Sequence, residues 1–148
     1  MVTEQNIDTL ISSVEQAVQA GVAFFQANSN SETRVGLWTG REFLCHLIYW
    51  HQATVDGIAS VSGGGAPVQV YASVDEMNAR SVGRQAGKSV AQLLEQVGSI
   101  QESLISSARS ISDPNAVVLI NSSGSGMSTA QRLERIATHW NEHIAELK

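Results

Sequence analysis

The chain has 148 residues, 43% hydrophobic, 16% charged and 5% aromatic, with a formal net charge of −5. That length fits one domain, residues 1–148, able to bury a core without staples. The acidic balance and the scattered Arg and Lys argue against a phosphate-backbone partner, so no nucleic acid is expected. A single cysteine, Cys45, excludes an intramolecular disulfide and fits a reducing compartment. Met1–Gln5 is unlike a signal peptide, and no apolar run approaches a membrane span. A cytoplasmic protein without a membrane partner is expected.

The first segment, about residues 3–27, repeats Ile7, Leu10, Ile11, Val14, Ala17, Val18, Gly21, Phe24 and Phe25 at spacings of three and four. That is one apolar helical face. Asn28-Ser29-Asn30-Ser31 ends it. The second segment, about 39–61, opens on Thr39 and Glu42, the spacing of a capping box, with Trp38 placed to staple onto Phe43. Phe43, Leu44, Leu47, Ile48, Trp50, Val55 and Ile58 give it a broad apolar face. Gly63-Gly64-Gly65 and Pro67 stop it, and residues 66–72 read as an extended connector.

The third region, about 74–112, starts at a Ser73/Glu76 cap. Gly83 and Gly87 weaken its first part, and Ser89/Gln92 looks like a fresh cap. Val90, Leu93, Leu94, Val97, Ile100, Leu104, Ile105, Ala108 and Ile111 carry its stripe up to Asp113-Pro114. Ala116–Ile120 is a short apolar run with extended character, followed by a loop to Gly126. The last helix, about 128–147, opens on Ser128/Gln131 and buries Leu133, Ile136, Ala137, Trp140, Ile144 and Leu147. Four amphipathic helices without a convincing sheet predict an all-α four-helix bundle, its longer linkers permitting a crossover connection.

Several motifs fail on context. Gly83–Ser89 has three residues between its glycines where a P-loop needs four, and helix rather than strand precedes it. His139-Trp140-Asn141-Glu142-His143 fits the inverted zinc-protease pattern, but those enzymes take a further ligand downstream and the chain ends at Lys148. Cys45 and His46, as helical neighbours, point about 100° apart and do not form a nucleophile–base pair, so a buried, inert Cys45 is expected.

The histidines are more informative. His139 and His143 lie one turn apart on one face, at the border of the apolar stripe. His46 sits on the inner side of the second helix, beside Phe43 and Leu47. If those two helices are neighbours, His46, His139 and His143 can meet around one divalent ion with an open position. Imidazole suits Zn, Ni, Fe and Cu alike. The plain alternative is that each is a hydrogen-bonded core or surface histidine. His51, five residues after His46, matches poorly in angle and stays outside the set.

Trp38 followed by Glu42-Phe43-Leu44-Cys45-His46-Leu47-Ile48-Tyr49-Trp50 resembles the second helix of the DinB-like superfamily, which includes YfiT-type hydrolases and mycothiol-dependent maleylpyruvate isomerases. Asp75-Glu76-Met77-Asn78 resembles the opening of its third helix. Ile136–Leu147, with its H-x-x-x-H spacing, resembles its fourth. The resemblance covers nearly the whole chain in element order. It implies a DinB/YfiT-like bundle, commonly a homodimer, with a divalent metal, Zn or Ni first, on His46, His139 and His143. Mycothiol-dependent isomerases often carry a further C-terminal domain, and this chain ends after its last helix, so that isomerase activity itself is not expected.

The expected function is metal-dependent transfer of a low-molecular-weight thiol to a small electrophile, or its hydrolysis. An open coordination position lowers the pKa of a bound thiol or water, whereas proton competition should weaken metal binding below about pH 6. Glu142 and Asn78 are candidates for catalytic or supporting roles. Glu42 is a weaker candidate, better read as a helix cap. The competing class is a non-enzymatic metal-binding or dimerising helical stress protein. A deep pocket beside the histidines favours the enzyme and a shallow, covered site the module.

Overall fold

Polar caps set where the helices begin. Thr39, Ser89 and Ser128 each accept the amide of the residue three ahead and receive that residue's side chain in return, completing three reciprocal capping boxes. Ser73 caps in one direction only, because the Glu76 carboxylate turns to Arg80 at 2.8 Å. The computed structural model describes residues 4–148. Among them five helices form: α1 (Glu4–Ala27), α2 (Gly40–Ser62), α3 (Val74–Arg84), α4 (Val90–Ser110) and α5 (Thr129–Leu147). The expected start of the first helix at Thr3 lies outside the described residues.

The expected single helix over 74–112 is two. Gly87 takes a φ of 82°, a left-handed turn that only glycine adopts without strain, and Ser89 then recaps the chain. Arg41 straps this break: its guanidinium donates to the carbonyls of Gln85 at 2.6 Å and Lys88 at 2.8 Å.

Small strands occur where no sheet was expected. β1 (Arg34–Val35) and β2 (Trp38–Thr39) form a hairpin before α2. β3 (Val68–Gln69), β4 (Val117–Ile120) and β5 (Gly126–Ser128) form one sheet in the order β3-β4-β5. β3 runs parallel to β4, with Val68 opposite Leu119. β5 runs antiparallel, with Leu119 opposite Met127. The two long connectors therefore pair with each other. Sequence periodicity reports one segment at a time and carries no such long-range pairing.

α1 packs on α5 and α4, and α2 packs on α4 and α5. Their shared core includes Ile11, Val14, Leu44, Leu93, Leu104, Leu133, Ile136 and Trp140. α2 is buried on a second side as well: Trp50 and Ala53 join Val70, Ala72, Met77 and Leu119 in a smaller core under the sheet. The fold is thus mainly helical, and no described helix is long and apolar enough to cross a membrane.

Gly57 is where α2 touches β4. A Cβ there would collide with the Val118 carbonyl oxygen, a backbone atom that cannot swing aside. Gly57→Ala should therefore destabilise by about 1–3 kcal/mol, as overpacking does. Urea unfolding checks this: an unchanged midpoint would place the sheet further from α2 than described.

Candidate metal centre

The boxes at Thr39 and Ser128 fix the register of α2 and α5, and with it the heights of their histidines. His46, 3% exposed, sits in the second turn of α2. The Trp38 ring stands edge-on to His46, with centroids 4.8 Å apart, and packs against the core that includes Phe43. Phe43 stands edge-on to the same imidazole at 5.7 Å and lies tilted against His143 at 4.3 Å. His143 stacks on His139 at 5.5 Å. One chain of rings thus runs from Trp38 through His46, Phe43 and His143 to His139, across the α2–α5 contact. The structure gathers the three predicted histidines into one neighbourhood.

Their nitrogens are unequally used. His46 Nε2 and His143 Nδ1 are buried without a hydrogen-bond partner. A buried polar atom left unmatched costs about 1–3 kcal/mol, so two in one ring chain call for an explanation. His139 Nε2 lies 2.6 Å from Arg135 Nη2. A guanidinium only donates, so Nε2 accepts and the ring proton sits on Nδ1. In this side-chain arrangement no group of three or more His, Cys, Asp or Glu among the described residues stands close enough to hold a metal ion. His139 Nε2 could ligate an ion only once its contact with Arg135 is broken. Arg135 has somewhere to go, since Glu142 Oε2 lies 3.9 Å from its other terminal nitrogen.

Burial is the largest cause of the low basicity here. It pushes His46 down to about 4, helped by His143, while Glu42 pulls the other way. It pushes His139 down to about 3, helped first by Arg135, then by His143, Arg132 and His46. His143 is lowered by burial too, against the pull of Glu146 and Glu142. All three rings are therefore neutral at pH 7, the state in which imidazole ligates. Lowered basicity of this kind would shift proton competition with a bound ion to more acidic values than the expected pH of about 6.

The remaining candidates have other duties. Glu42 closes the α2 cap; burial disfavours its carboxylate, but the Thr39 amide and hydroxyl hold its pKa below the usual value. Asn78 Oδ1 accepts from Trp50 Nε1 at 3.0 Å and so orients that ring. Glu142 is half exposed beside Arg135. Cys45 is fully buried and burial raises its pKa, which leaves it a poor nucleophile. His51 is buried and its Nε2 accepts from Trp140 Nε1 at 3.0 Å.

Sequence reasoning missed Arg132. It is 3% exposed on α5 and lines, with Arg135, His139 and Trp50, a cavity of about 180 Å³. The signal was present: Arg132 stands four residues before Ile136 and eight before Trp140, so a charge occupies a position of the apolar stripe. No family model, curated protein or solved structure matches the chain.

His51 makes the acid response calculable. Burial holds its pKa at about 3, helped by Arg132, well below the usual 6.5. A folded-state pKa below the unfolded one means that the unfolded chain takes up the proton first. Stability is then complete above pH 6.5 and is lost as pH falls from about 6.5 toward 3, by about 1.4 kcal/mol per pH unit for each such histidine. Urea midpoints across that range should fall steeply. In His51→Gln, whose amide oxygen can still accept from Trp140, the slope should be shallower by about one proton. An identical slope would remove His51 from the balance.

Proposed function

We propose that the chain is a metal-dependent enzyme of DinB/YfiT-like architecture, transferring a low-molecular-weight thiol to a small electrophile or hydrolysing it. His46, His139 and His143 would hold one divalent ion, Zn or Ni. The observation that carries this reading is the pair of buried ring nitrogens that make no hydrogen bond, His46 Nε2 and His143 Nδ1, the latter 4.0 Å from Glu146 Oε2, in one ring chain with His139. Three neutral imidazoles fit the donor chemistry of such an ion. The cavity that His139 lines, which neither His46 nor His143 reaches, offers room for a small molecule at one of the three histidines and leans toward the enzyme over the non-catalytic module.

When bound, the ion would supply Lewis acidity and lower the pKa of a thiol or water. The chain's own residues do the rest. Phe43 and Trp38 pack against the imidazoles and exclude water from them. Arg135 caps His139 Nε2 at 2.6 Å, and Glu142, 3.9 Å from the other terminal nitrogen of Arg135, offers that guanidinium an alternative partner when His139 is to ligate. Asn78 fixes the indole of Trp50, an apolar wall of the cavity.

The test is metal content and affinity of the purified chain, with Zn and Ni titrated after chelation. His46→Ala, His139→Ala and His143→Ala should each weaken binding by at least about tenfold, since loss of a mere supporting partner already costs that much. His51→Ala should keep the affinity and lose stability. Wild-type affinity in all three ligand variants would end the metal reading. Electrophiles offered with mycothiol, bacillithiol, glutathione or water alone then test catalysis; turnover that survives both metal removal and His139→Ala would refute the mechanism. The same resemblance proposes a homodimer, and a light-scattering mass of one chain at every concentration would exclude it.

A further inference from the structure

Arg132 is the group that the metal reading leaves unused. Burying a guanidinium is costly unless a counter-charge meets it. No carboxylate pairs with Arg132 among the described residues. Its Nε donates to Thr54 Oγ1 at 3.0 Å, and the Trp50 ring lies 5.7 Å away under the charge. Those contacts anchor the group and leave one edge over. On that edge Nη1 reaches only Met127 Sδ at 3.8 Å, a weak acceptor, and Nη2 is buried with no hydrogen-bond partner. Burial, then the charge of Arg135, lower its pKa to about 10, so it stays cationic at neutral pH.

The edge belongs to a residue lining the cavity that Arg135, His139 and Trp50 also line. Arg132 and His139 are seven residues apart, nearly two turns of α5, and so lie along one line of the helix. We infer that this cavity binds a small carboxylate, which on entering displaces the Met127 thioether from Nη1, opens the covered Nη1 and Nη2 edge of Arg132 and is held end-on there, with Arg135 as the second cation. Two coplanar oxygens match the two parallel N–H groups of that edge. The walls at Trp50, Leu119 and Met127 suit the hydrocarbon remainder of the molecule, whereas the extra oxygens of phosphate would face them unsatisfied. The inference rests on the proposed function only in making the carboxylate part of the electrophile; the grip itself needs no metal.

The experiment uses the full chain, before and after chelation, titrated with acetate, succinate, benzoate, phosphate and sulfate and followed by calorimetry and thermal melting. At least one carboxylate should raise the melting temperature with or without metal, and phosphate and sulfate should not. Arg132→Met should lower carboxylate affinity by about tenfold or more. Without ligand it should melt no lower than the wild type, because an uncompensated charge has been removed. Arg135→Gln, at a half-exposed position that tolerates change, should weaken the carboxylate and keep the fold. Arg132→Lys keeps the charge without the two-pronged edge and should bind poorly. No carboxylate binding by the wild type, equal binding by Arg132→Met or Arg135→Gln, or phosphate binding as well as carboxylate, would each overturn the assignment. Carboxylate binding lost with metal retained defeats this inference alone. Metal binding absent with carboxylate binding retained defeats the histidine reading alone.

Discussion

Trp140 fixes the rotation of α5, and the arrangement of the site follows from that rotation. The indole is fully buried, edge-on to Phe25 with centroids 6.2 Å apart, and donates its N–H to His51 on α2. Gly21 on α1 makes room for it; a Cβ at that position would collide with the six-membered ring. A helix held at one residue by contacts from two others cannot turn about its axis. With Trp140 pointing inward, His143, His139 and Arg132 fall on the adjacent edge of the same face, toward α2. The Nε2 of His51 is thereby engaged by a buried indole that cannot leave, whereas the Nε2 of His139 is engaged by Arg135, a half-exposed side chain free to move.

That adjacent edge is poorly compensated. Together with His46 on the facing α2, it carries two imidazole nitrogens and one guanidinium nitrogen that are buried without a hydrogen bond. Apolar residues of similar size would cost less at each position. Stability alone therefore does not account for them. The deficits are also of two kinds: the imidazoles lack a partner that accepts lone pairs or exchanges protons, and the guanidinium lacks an acceptor. A cation answers the first and an anion the second, so a single bound molecule of one sign cannot answer both.

Much of this was legible in the sequence, and the failures share one cause. Apolar stripes and Ser or Thr caps mark the helices because both signals are local. The break after Arg84 was signalled by Gly83, Gly87 and Ser89, yet the continuous stripe after Val90 outweighed them. The run at Ala116–Ile120 showed its extended character, but its partners, β3 and β5, depend on contacts that no single segment encodes. Likewise the stapling position of Trp38 pointed to Phe43 alone, whereas its ring also packs on His46. His139 and His143 were legible as a pair from their spacing, and His46 joined them through its inner-face position and the family resemblance. Arg132 was overlooked because a charge on an apolar stripe reads as noise until the structure shows that nothing neutralises it.

The two deficits are linked electrostatically. Arg132 and Arg135 both depress the basicity of His139, so their charges reach its ring. The same field that disfavours a proton on His139 disfavours any cation there. A divalent ion on the three imidazoles would therefore bind against two guanidiniums. A carboxylate seated on Arg132 would cancel part of that repulsion, and an ion on the imidazoles would in turn strengthen the hold on the carboxylate. Linkage makes these two effects equal in free energy. An ion and an anionic electrophile would then enter this site cooperatively, the anion held by the guanidiniums even alone and the ion, which they repel, relying the more on its presence.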